Sequence, residues 1–252
     1  QTTLLNTVGG FIPSNERLVT VEEAAELQLK QEHVVRLETR PASMEGKGAV
    51  TIRDLVRNAL RMRPDRIIVG ECRDGAALDM LAAMSTGHDG SMTTVHANSP
   101  REAIGRLETL CLMASMDLTA RAIREQIANS VNFIVQIGRL SDGSRKIKAI
   151  SEVQGLQEDK VTMLDVFEFV PSGYDSNRKV VGKYVARGFV PRFIQDLQKR
   201  GIPTPPNLFA NDPDPKPNVA TPANTPTANT AQIKPMPSTS IDPKKASGGG
   251  QR

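Results

Sequence analysis

A carboxylate directly follows a short apolar run near the middle of this 252-residue chain. Residues 66–69 end in branched apolar side chains, which predicts a buried parallel strand, and Glu71 comes two residues after it. His96 follows a second short run, residues 91–95, in the same way. Because ligands bind at the carboxyl ends of parallel strands, Glu71 and His96 are expected at one edge of a sheet. A carboxylate at that edge suits phosphate chemistry.

A second pair of acids, Glu22 and Glu23, follows residues 17–21, which also predict a strand. These carboxylates could lie at the same edge as Glu71. They could instead begin a helix, in which Thr20 and Glu23 would form a capping box. The residues by themselves leave both interpretations open.

Hydrophobic periodicity predicts the elements that must position these residues. Helices are predicted over residues 51–63, 75–84, 119–130 and 191–200, and another begins at Ser99-Pro100. Further strands are predicted over residues 33–40, 132–139, 145–154 and 161–170, and residues 174–188 read as polar and glycine-punctuated. This pattern indicates an α/β fold, a mostly parallel sheet flanked by helices, with the last strands at its edge.

Three motifs, GECRD, TGHDG and TTVHANSP, resemble in order and spacing the Walker B and His boxes of secretion-superfamily ATPases. The stretch LETRPASMEGKGAVTIRDLVRNALRMRPDRIIVGE is similar to the CpaF-type branch of the type II/IV secretion ATPases, which drives pilus assembly and secretion. The resemblance covers roughly residues 2–201. It implies a RecA-like P-loop NTPase core over residues 1–201 that lacks its N-terminal P-loop segment.

The first residues, Gln1-Thr2-Thr3, resemble the end of a P-loop running into its helix. On this resemblance Thr2 and Thr3 bind nucleotide, and Thr2 ligates Mg²⁺ together with Glu23. The glycine-rich loop and its lysine would then be missing, so this polypeptide is expected to be a fragment that does not hydrolyse ATP by itself. A plain helix start is the alternative interpretation.

The resemblance also implies roles for the remaining polar residues. Glu71 is expected to orient or activate the attacking water, with Glu22 and Glu23 supporting it and the metal, while Asp74 braces the loop. Glu26 is the less favoured acid for the supporting role. The other nucleotide-binding residues expected are His88, His96, Arg36, Arg40 and Arg73, with both histidines at the ligand-binding edge of the sheet. For the two histidines and for the arginines of residues 33–40, an ordinary structural role is the alternative. Ala76 departs from the glutamate that the family usually carries there.

Composition limits the classes of partner. The net charge of +4 and the nine aromatic residues give no basic, aromatic surface of the kind that binds nucleic acid. Two cysteines, Cys72 and Cys111, predict reduced core thiols rather than disulfides or a zinc site. Without an apolar run of about 18 residues or a signal-peptide pattern, the chain is expected to be soluble and cytoplasmic.

Residues 202–252 differ in character, because eleven of the chain's 17 prolines lie there among many Thr, Asn and Ala residues. This composition predicts a disordered tail.

The predicted function is an ATP-hydrolysing motor subunit for pilus assembly or protein secretion across the bacterial envelope. The resemblance implies ATP and Mg²⁺ as ligands and a homo-hexameric ring as the assembly. It also implies an inner-membrane platform protein as partner, through which the motor associates peripherally with the membrane. The alternatives are a catalytically incomplete oligomerisation or docking module and, less favoured by composition, a nucleic-acid-dependent P-loop motor.

Overall fold

The computed structural model describes residues 1–115, 117–205 and 207–214. Within these ranges, a four-stranded parallel sheet is formed by β1 (Arg17–Glu22), β2 (His33–Glu38), β3 (Arg66–Val69) and β4 (Met92–Thr93). The strand order is β2-β1-β3-β4, and every neighbouring pair is parallel. The predicted α/β class with a parallel sheet is confirmed. All four carboxyl ends therefore lie along one edge.

Helices flank this sheet, and three of them begin directly after capping residues, at Thr51, Ser99 and Thr119. They are α1 (Thr2–Gly9), α2 (Ile52–Ala59), α3 (Ala76–Met84), α4 (Pro100–Ala114) and α5 (Ala120–Ser130), with a 3₁₀ turn at Leu60–Met62 after α2. Thr51 and Asp54 form a reciprocal capping box at the start of α2. The hydroxyl of Ser99 accepts a 3.2 Å hydrogen bond from the amide of Glu102 and so fixes the start of α4.

Each face of the parallel sheet has its own core, because side chains alternate along β1 and β3. Val19, Val21 and Ile67 are fully buried against α2, α3, α4 and α5 on one face. Leu18 and Ile68 are fully buried on the other face, against α1. Burial of such side chains contributes roughly 1.5–3 kcal/mol each, which fixes the register of the strands that carry the polar residues.

The segment after β1 is not helical, so the helix interpretation of Glu22 and Glu23 is wrong. Thr20 lies inside β1, fully buried, where its side chain cannot cap a helix. The carboxylate of Glu22 instead accepts hydrogen bonds from the amides of Glu26 and Leu27, at 2.8 and 2.9 Å. This bonding folds the segment into a compact turn at the sheet edge.

The C-terminal strands form a second sheet, which corrects the expectation that they are edge strands of the first. This sheet is antiparallel, in the order β5-β6-β7-β8. Its strands are β5 (Phe133–Arg139), β6 (Arg145–Gln157), β7 (Lys160–Tyr174) and β8 (Val180–Ala186). Short turns join these strands, so each strand pairs with its neighbour in the sequence. Between β6 and β7 the turn consists of Glu158 and Asp159, both in the left-handed backbone conformation.

Strand β8 was not predicted from the sequence, because its glycine and exposed polar residues hide the pattern. A Cβ at Gly182 would lie 2.4 Å from the carbonyl oxygen of Val170, so glycine is required where β7 and β8 approach. Only the last two residues of the strand, Val185 and Ala186, are buried. The buried part of β8 is therefore too short to show the alternation of a strand.

The predicted terminal helix is α6 (Phe193–Lys199), and the chain beyond it packs on the second sheet. The ring of Phe209 lies 5.7 Å from the ring of Phe167, and the amide of Asp212 donates to the carbonyl of Ala186 at 2.9 Å. The boundary predicted at residue 202 therefore falls before residues that contact the second sheet. Residues 215–252 of the predicted tail lie outside the described residues. No helix in the described ranges is long and apolar enough to cross a membrane.

Candidate active site

Glu71 and His96 meet at the carboxyl edge of the parallel sheet, as the sequence predicted. Oε1 of Glu71 lies 3.0 Å from Nε2 of His96. The two loops that carry them are joined through Thr94, whose hydroxyl donates to the carbonyl of Gly70 at 2.6 Å and whose carbonyl accepts from the amide of Cys72 at 2.9 Å. The strand ends thus hold the carboxylate and the imidazole together by backbone contacts as well as by their own pairing.

Arg73 links this pair to the acids that follow β1. Its Nη2 lies 2.8 Å from Oε2 of Glu71, and its Nη1 lies 3.1 Å from Oε1 of Glu23. The hydrogen bond from Arg73 lowers the pKa of Glu71, and the charge of His96 acts in the same direction. Glu71 is therefore a carboxylate at neutral pH, with one oxygen facing a guanidinium and the other facing an imidazole.

The two adjacent acids Glu22 and Glu23 have different surroundings. Glu23 is exposed and paired with Arg73, whereas Glu22 is only 4% exposed. Oε2 of Glu22 receives the amides of Glu26 and Leu27. The structure therefore brings Glu23, but not the carboxylate of Glu22, to the surface beside Arg73.

Thr2, at the start of α1, contacts Glu26, an acid in the turn after β1. Its hydroxyl donates to Oε2 of Glu26 at 2.9 Å, while Glu23, the metal ligand expected beside Thr2, pairs with Arg73. Thr3 is exposed, and its carbonyl accepts a bond from the hydroxyl of Thr7. Glu26 is the site residue to which sequence reasoning gave least weight, because only the folded turn shows which acid reaches Thr2.

The oxygen atoms around Thr2 fit a Mg²⁺ ion that also binds water and nucleotide phosphate. That ion takes one or two protein oxygens and completes its shell with water and phosphate oxygens. The hydroxyl of Thr2 and the carboxylate of Glu26 are two such oxygens within contact of each other. In the described part of the chain, no group of three or more His, Cys, Asp or Glu residues is placed to hold a metal without such additional ligands.

His88 lies at the opposite edge from Glu71, so the expectation that both histidines occupy the carboxyl edge is wrong. Strand β4 has two residues and pairs in parallel with β3, which places His88 before the strand and His96 after it. Nδ1 of His88 lies 3.2 Å from the carbonyl oxygen of Ala83, near the end of α3. One crossing of the sheet separates two histidines that stand only eight positions apart in the sequence.

Arg36 and Arg40 lie on the β2 side of the sheet, two strands from β3. A guanidinium nitrogen of Arg36 donates to the carbonyl of Leu29 at 3.3 Å, and Nε of Arg40 donates to the carbonyl of Gly48 at 2.9 Å. These bonds support neighbouring loops. The structure does not bring either arginine into the cluster of Glu71, Arg73 and His96 that the described side chains form.

Two further contacts brace the loops of the site. Oδ1 of Asp74 accepts a 2.8 Å hydrogen bond from the amide of Ala76, in agreement with the bracing role expected for it at the start of α3. Gln136 of β5, which sequence reasoning missed, is buried and donates to the carbonyl of Ala97 at 3.0 Å. No local pattern could reveal that bond, because it joins the His96 loop to the second sheet.

Both cysteines are free and buried, as predicted. Burial raises the pKa of the Cys72 thiol to about 11 and that of the Cys111 thiol to about 12. Both are therefore neutral core thiols at physiological pH, without the thiolate character that nucleophilic or metal-binding cysteines need.

Comparison with known proteins adds to this geometry. A family described as "Type II/IV secretion system protein" matches residues 1–178. A putative conjugal transfer protein of Mycobacterium tuberculosis is 45% identical over 151 residues, which are 60% of this chain and 42% of that protein. The VirB11 protein of Agrobacterium fabrum is 38% identical over 137 residues, 54% of this chain and 40% of that protein.

A solved structure shares the fold. The crystal structure of the VirB11 ATPase from the Brucella suis type IV secretion system, in complex with sulphate, has a TM-score of 0.53 and 32% sequence identity, and the match covers 59% of this chain and 44% of that one. This likeness agrees with the RecA-like fold that the motifs implied. The chain spans less than half the length of these relatives.

Proposed function

Because the chain belongs to the type II/IV secretion system protein family, we propose that it is the catalytic part of an ATPase subunit that powers pilus assembly or protein secretion across the bacterial envelope. One observation carries the proposal. Glu71 stands at the carboxyl end of β3, between Arg73 at 2.8 Å and His96 at 3.0 Å. This is the edge at which open α/β sheets bind nucleotides.

In this mechanism Glu71 orients the attacking water and accepts its proton. Arg73 and His96 each contact one carboxylate oxygen of Glu71, and the second lone pair of each oxygen can accept a hydrogen bond from water. Arg73 and His96 can in turn donate hydrogen bonds to γ-phosphate oxygens, which places polar hydrogen atoms where charge develops. With its pKa lowered, Glu71 is fully ionised at neutral pH and can orient water as a carboxylate.

The turn after β1 supports the nucleotide from the other side. Thr2 and Glu26 are the oxygens that fit Mg²⁺, and Glu23 beside Arg73 is the second acid near that position. When bound, this ion neutralises charge on the β- and γ-phosphates. We propose that Thr2 takes the place of the hydroxyl residue that ends a Walker A sequence.

The assembly and location of the motor follow from the family likeness. We propose a homo-hexameric ring in the cytoplasm, held at the inner membrane through a platform protein of a pilus or secretion system. The names of relatives, among them VirB11 and a conjugal transfer protein, support a secretion role. We propose no direct contact with nucleic acid.

The test uses a polypeptide extended upstream of Gln1 by a Walker A phosphate-binding loop joined to Thr2. Glu71→Gln is expected to abolish steady-state ATP turnover while ATP binding stays close to wild type, because glutamine keeps the shape but removes the base. Glu158→Gln, in an exposed turn, is the control. Wild-type turnover in Glu71→Gln would overturn the assignment. Absence of turnover in the unsubstituted polypeptide would favour the docking-module alternative.

A further inference from the structure

The carboxylate of Glu22 is built into the fold in a way that sets it apart from the acids around it. Its residue is 4% exposed, and its Oε1 is buried without a hydrogen-bond partner among the described residues. Its Oε2 accepts the amides of Glu26 and Leu27 at 2.8 and 2.9 Å. One oxygen is thus sealed from solvent and the other is already shared by two donors, which leaves Glu22 no free lone pair at the site surface.

The turn that Glu22 closes carries the acids that do reach the surface. Glu26 meets the hydroxyl of Thr2 at 2.9 Å, and Glu23 meets Nη1 of Arg73 at 3.1 Å. Residues 23–26 have no helical or strand hydrogen bonds of their own. The hydroxyl of Thr39 donates to the carbonyl of Glu23 at 3.4 Å, and the two bonds to Oε2 of Glu22 are shorter. The shape of these residues therefore depends mainly on Glu22, since hydrogen bonds from backbone amides to a carboxylate are among the stronger ones in proteins.

Gly70 ties the same carboxylate to the loop that carries Glu71. The amide of Gly70 donates to the carbonyl of Val21 at 2.9 Å, and a Cβ added at Gly70 would lie 3.2 Å from Cγ of Glu22. The side chain of Glu22 therefore lies across the residue that directly precedes Glu71. A larger residue at position 70 would push against the stem of Glu22.

From these contacts we propose that Glu22 is a positioning residue, whose carboxylate folds the turn after β1 so that Glu26 faces Thr2 and Glu23 faces Arg73. This role replaces the direct catalytic one that the paired acids suggested. It rests on the proposed function only for its effect on turnover. The folded turn itself can be tested in the present polypeptide.

The structural test measures hydrogen exchange of the Glu26 and Leu27 amides by NMR. Glu22→Ala is expected to speed exchange at both by about tenfold or more, because each amide loses a charge-assisted bond. Glu22→Gln keeps an acceptor oxygen and is expected to restore most of the protection. Glu23→Ala is the matched control, since its carboxylate bonds Arg73 and not these amides. Unchanged exchange in Glu22→Ala would overturn the proposal.

The functional test uses the polypeptide extended upstream. Turnover is expected to fall strongly in Glu22→Ala, to be largely rescued in Glu22→Gln, and to be lost in Glu26→Gln. Loss of turnover in Glu22→Gln with both amides still protected would show that Glu22 acts directly, and would overturn the positioning role.

Two further readings complete this test. If Glu22→Gln disturbs folding, Gly70→Ala is the second variant, because the added methyl group would press on the side chain of Glu22. Faster exchange of the Glu26 and Leu27 amides in Gly70→Ala would support the positioning role of Glu22. Unchanged exchange would contradict it. If the unsubstituted polypeptide shows no turnover but the exchange results hold, the ATPase proposal fails while the positioning role of Glu22 stands.

Discussion

The ionisation of Glu71 depends on two side chains, each of which contacts one of its carboxylate oxygens. Arg73 supplies the hydrogen bond that most lowers the pKa of Glu71, and His96 adds charge on the other oxygen. The raised pKa of Arg73 has the same cause, its hydrogen bond to Glu71. The Glu71 carboxylate is therefore stabilised in its ionised form by both neighbours.

Arg73→Gln is expected to raise the pKa of Glu71 towards its ordinary value of 4.5. The folded-state pKa is depressed, so the pairing adds stability that is present above the unfolded pKa and is lost as pH falls through the folded pKa. The measurement is an NMR titration of the Glu71 carboxyl in the acid range. Arg121→Gln is the control, because Arg121 is also exposed and pairs with Glu125. An unchanged Glu71 pKa in Arg73→Gln would contradict this account.

His96→Ala is expected to lower turnover in the upstream-extended polypeptide by about 10²-fold, the usual effect of removing one transition-state donor. Its melting temperature should stay near wild type, because the His96 side chain is 72% exposed and adds little to the core. His33→Ala, an exposed histidine on β2, is the control. A fall in melting temperature without loss of turnover would instead assign His96 a structural role.

At the scale of elements, the site is made by two loops and one turn at a single sheet edge, and the second sheet supports one of those loops. Gln136 of β5 holds the carbonyl of Ala97, next to His96. Asp142, in the turn after β5, accepts bonds from the hydroxyl of Ser144 and from the amide of Val180 at the start of β8. Asp142 therefore joins the turn between β5 and β6 to the start of β8.

Asp142→Asn is expected to lower the melting temperature near neutral pH, because asparagine loses the charge that these donors stabilise. The hydroxyl of Ser144 and the amide of Val180 lower the pKa of Asp142 to about 2. Its contribution is thus present above the usual carboxyl pKa and disappears as pH falls through about 2. Thermal unfolding against pH measures this, with Asp196→Asn as control. Equal melting temperatures at neutral pH would contradict the prediction.

Two truncations test the contact between residues 207–214 and the second sheet. Removal of residues 202–252 is expected to lower the melting temperature, because it uncovers Phe167 and breaks the bond between Asp212 and Ala186. Removal of residues 215–252 should leave it unchanged, as the proline-rich composition predicts. Calorimetry of both variants decides the point. Equal melting temperatures for the two would show that residues 202–214 add nothing to stability.

At the scale of the whole molecule, the proposed nucleotide site needs a phosphate-binding part as well as the groups at the sheet edge. The phosphate grip of a P-loop comes from successive backbone amides, a lysine and a helix N-terminus, and of these the described residues supply the N-terminus of α1. The described contacts at the sheet edge hold acids, one arginine and one histidine. The acids can orient water and the basic groups can contact phosphate, but this set does not by itself form a cradle for a triphosphate.

This polypeptide is therefore expected neither to bind ATP at millimolar concentration nor to hydrolyse it. Charge-assisted hydrogen bonds contribute roughly 1.5–3 kcal/mol each, so three of them correspond to about three to six orders of magnitude in affinity. Calorimetric titration with Mg-ATP is the measurement, and the upstream-extended polypeptide is the positive control. Saturable micromolar binding would show that phosphate is held by groups other than a P-loop.

Several elements of the fold and the pairing of Glu71 with His96 could be predicted from local sequence. The branched apolar run before Gly70-Glu71 predicted β3, because a parallel strand that is buried on both faces consists of consecutive apolar residues. The same logic placed His96 beside Glu71, because neighbouring parallel strands end at one edge. Capping residues such as Ser99 fixed helix starts through bonds within a few residues. These features are determined by the sequence itself, since each depends on periodicity or on contacts over one turn.

Tertiary structure decided what local patterns leave open. His88 and His96 look equivalent in the sequence, yet the short strand between them places them at opposite edges. Glu22, Glu23 and Glu26 are chemically alike, and only the buried turn shows which one binds amides, which pairs with Arg73 and which reaches Thr2. The separate second sheet and the packing of Phe209 likewise depend on contacts across long sequence separations. The physical reason is that the burial of a polar group is set by the elements packed around it, not by its neighbours in the chain.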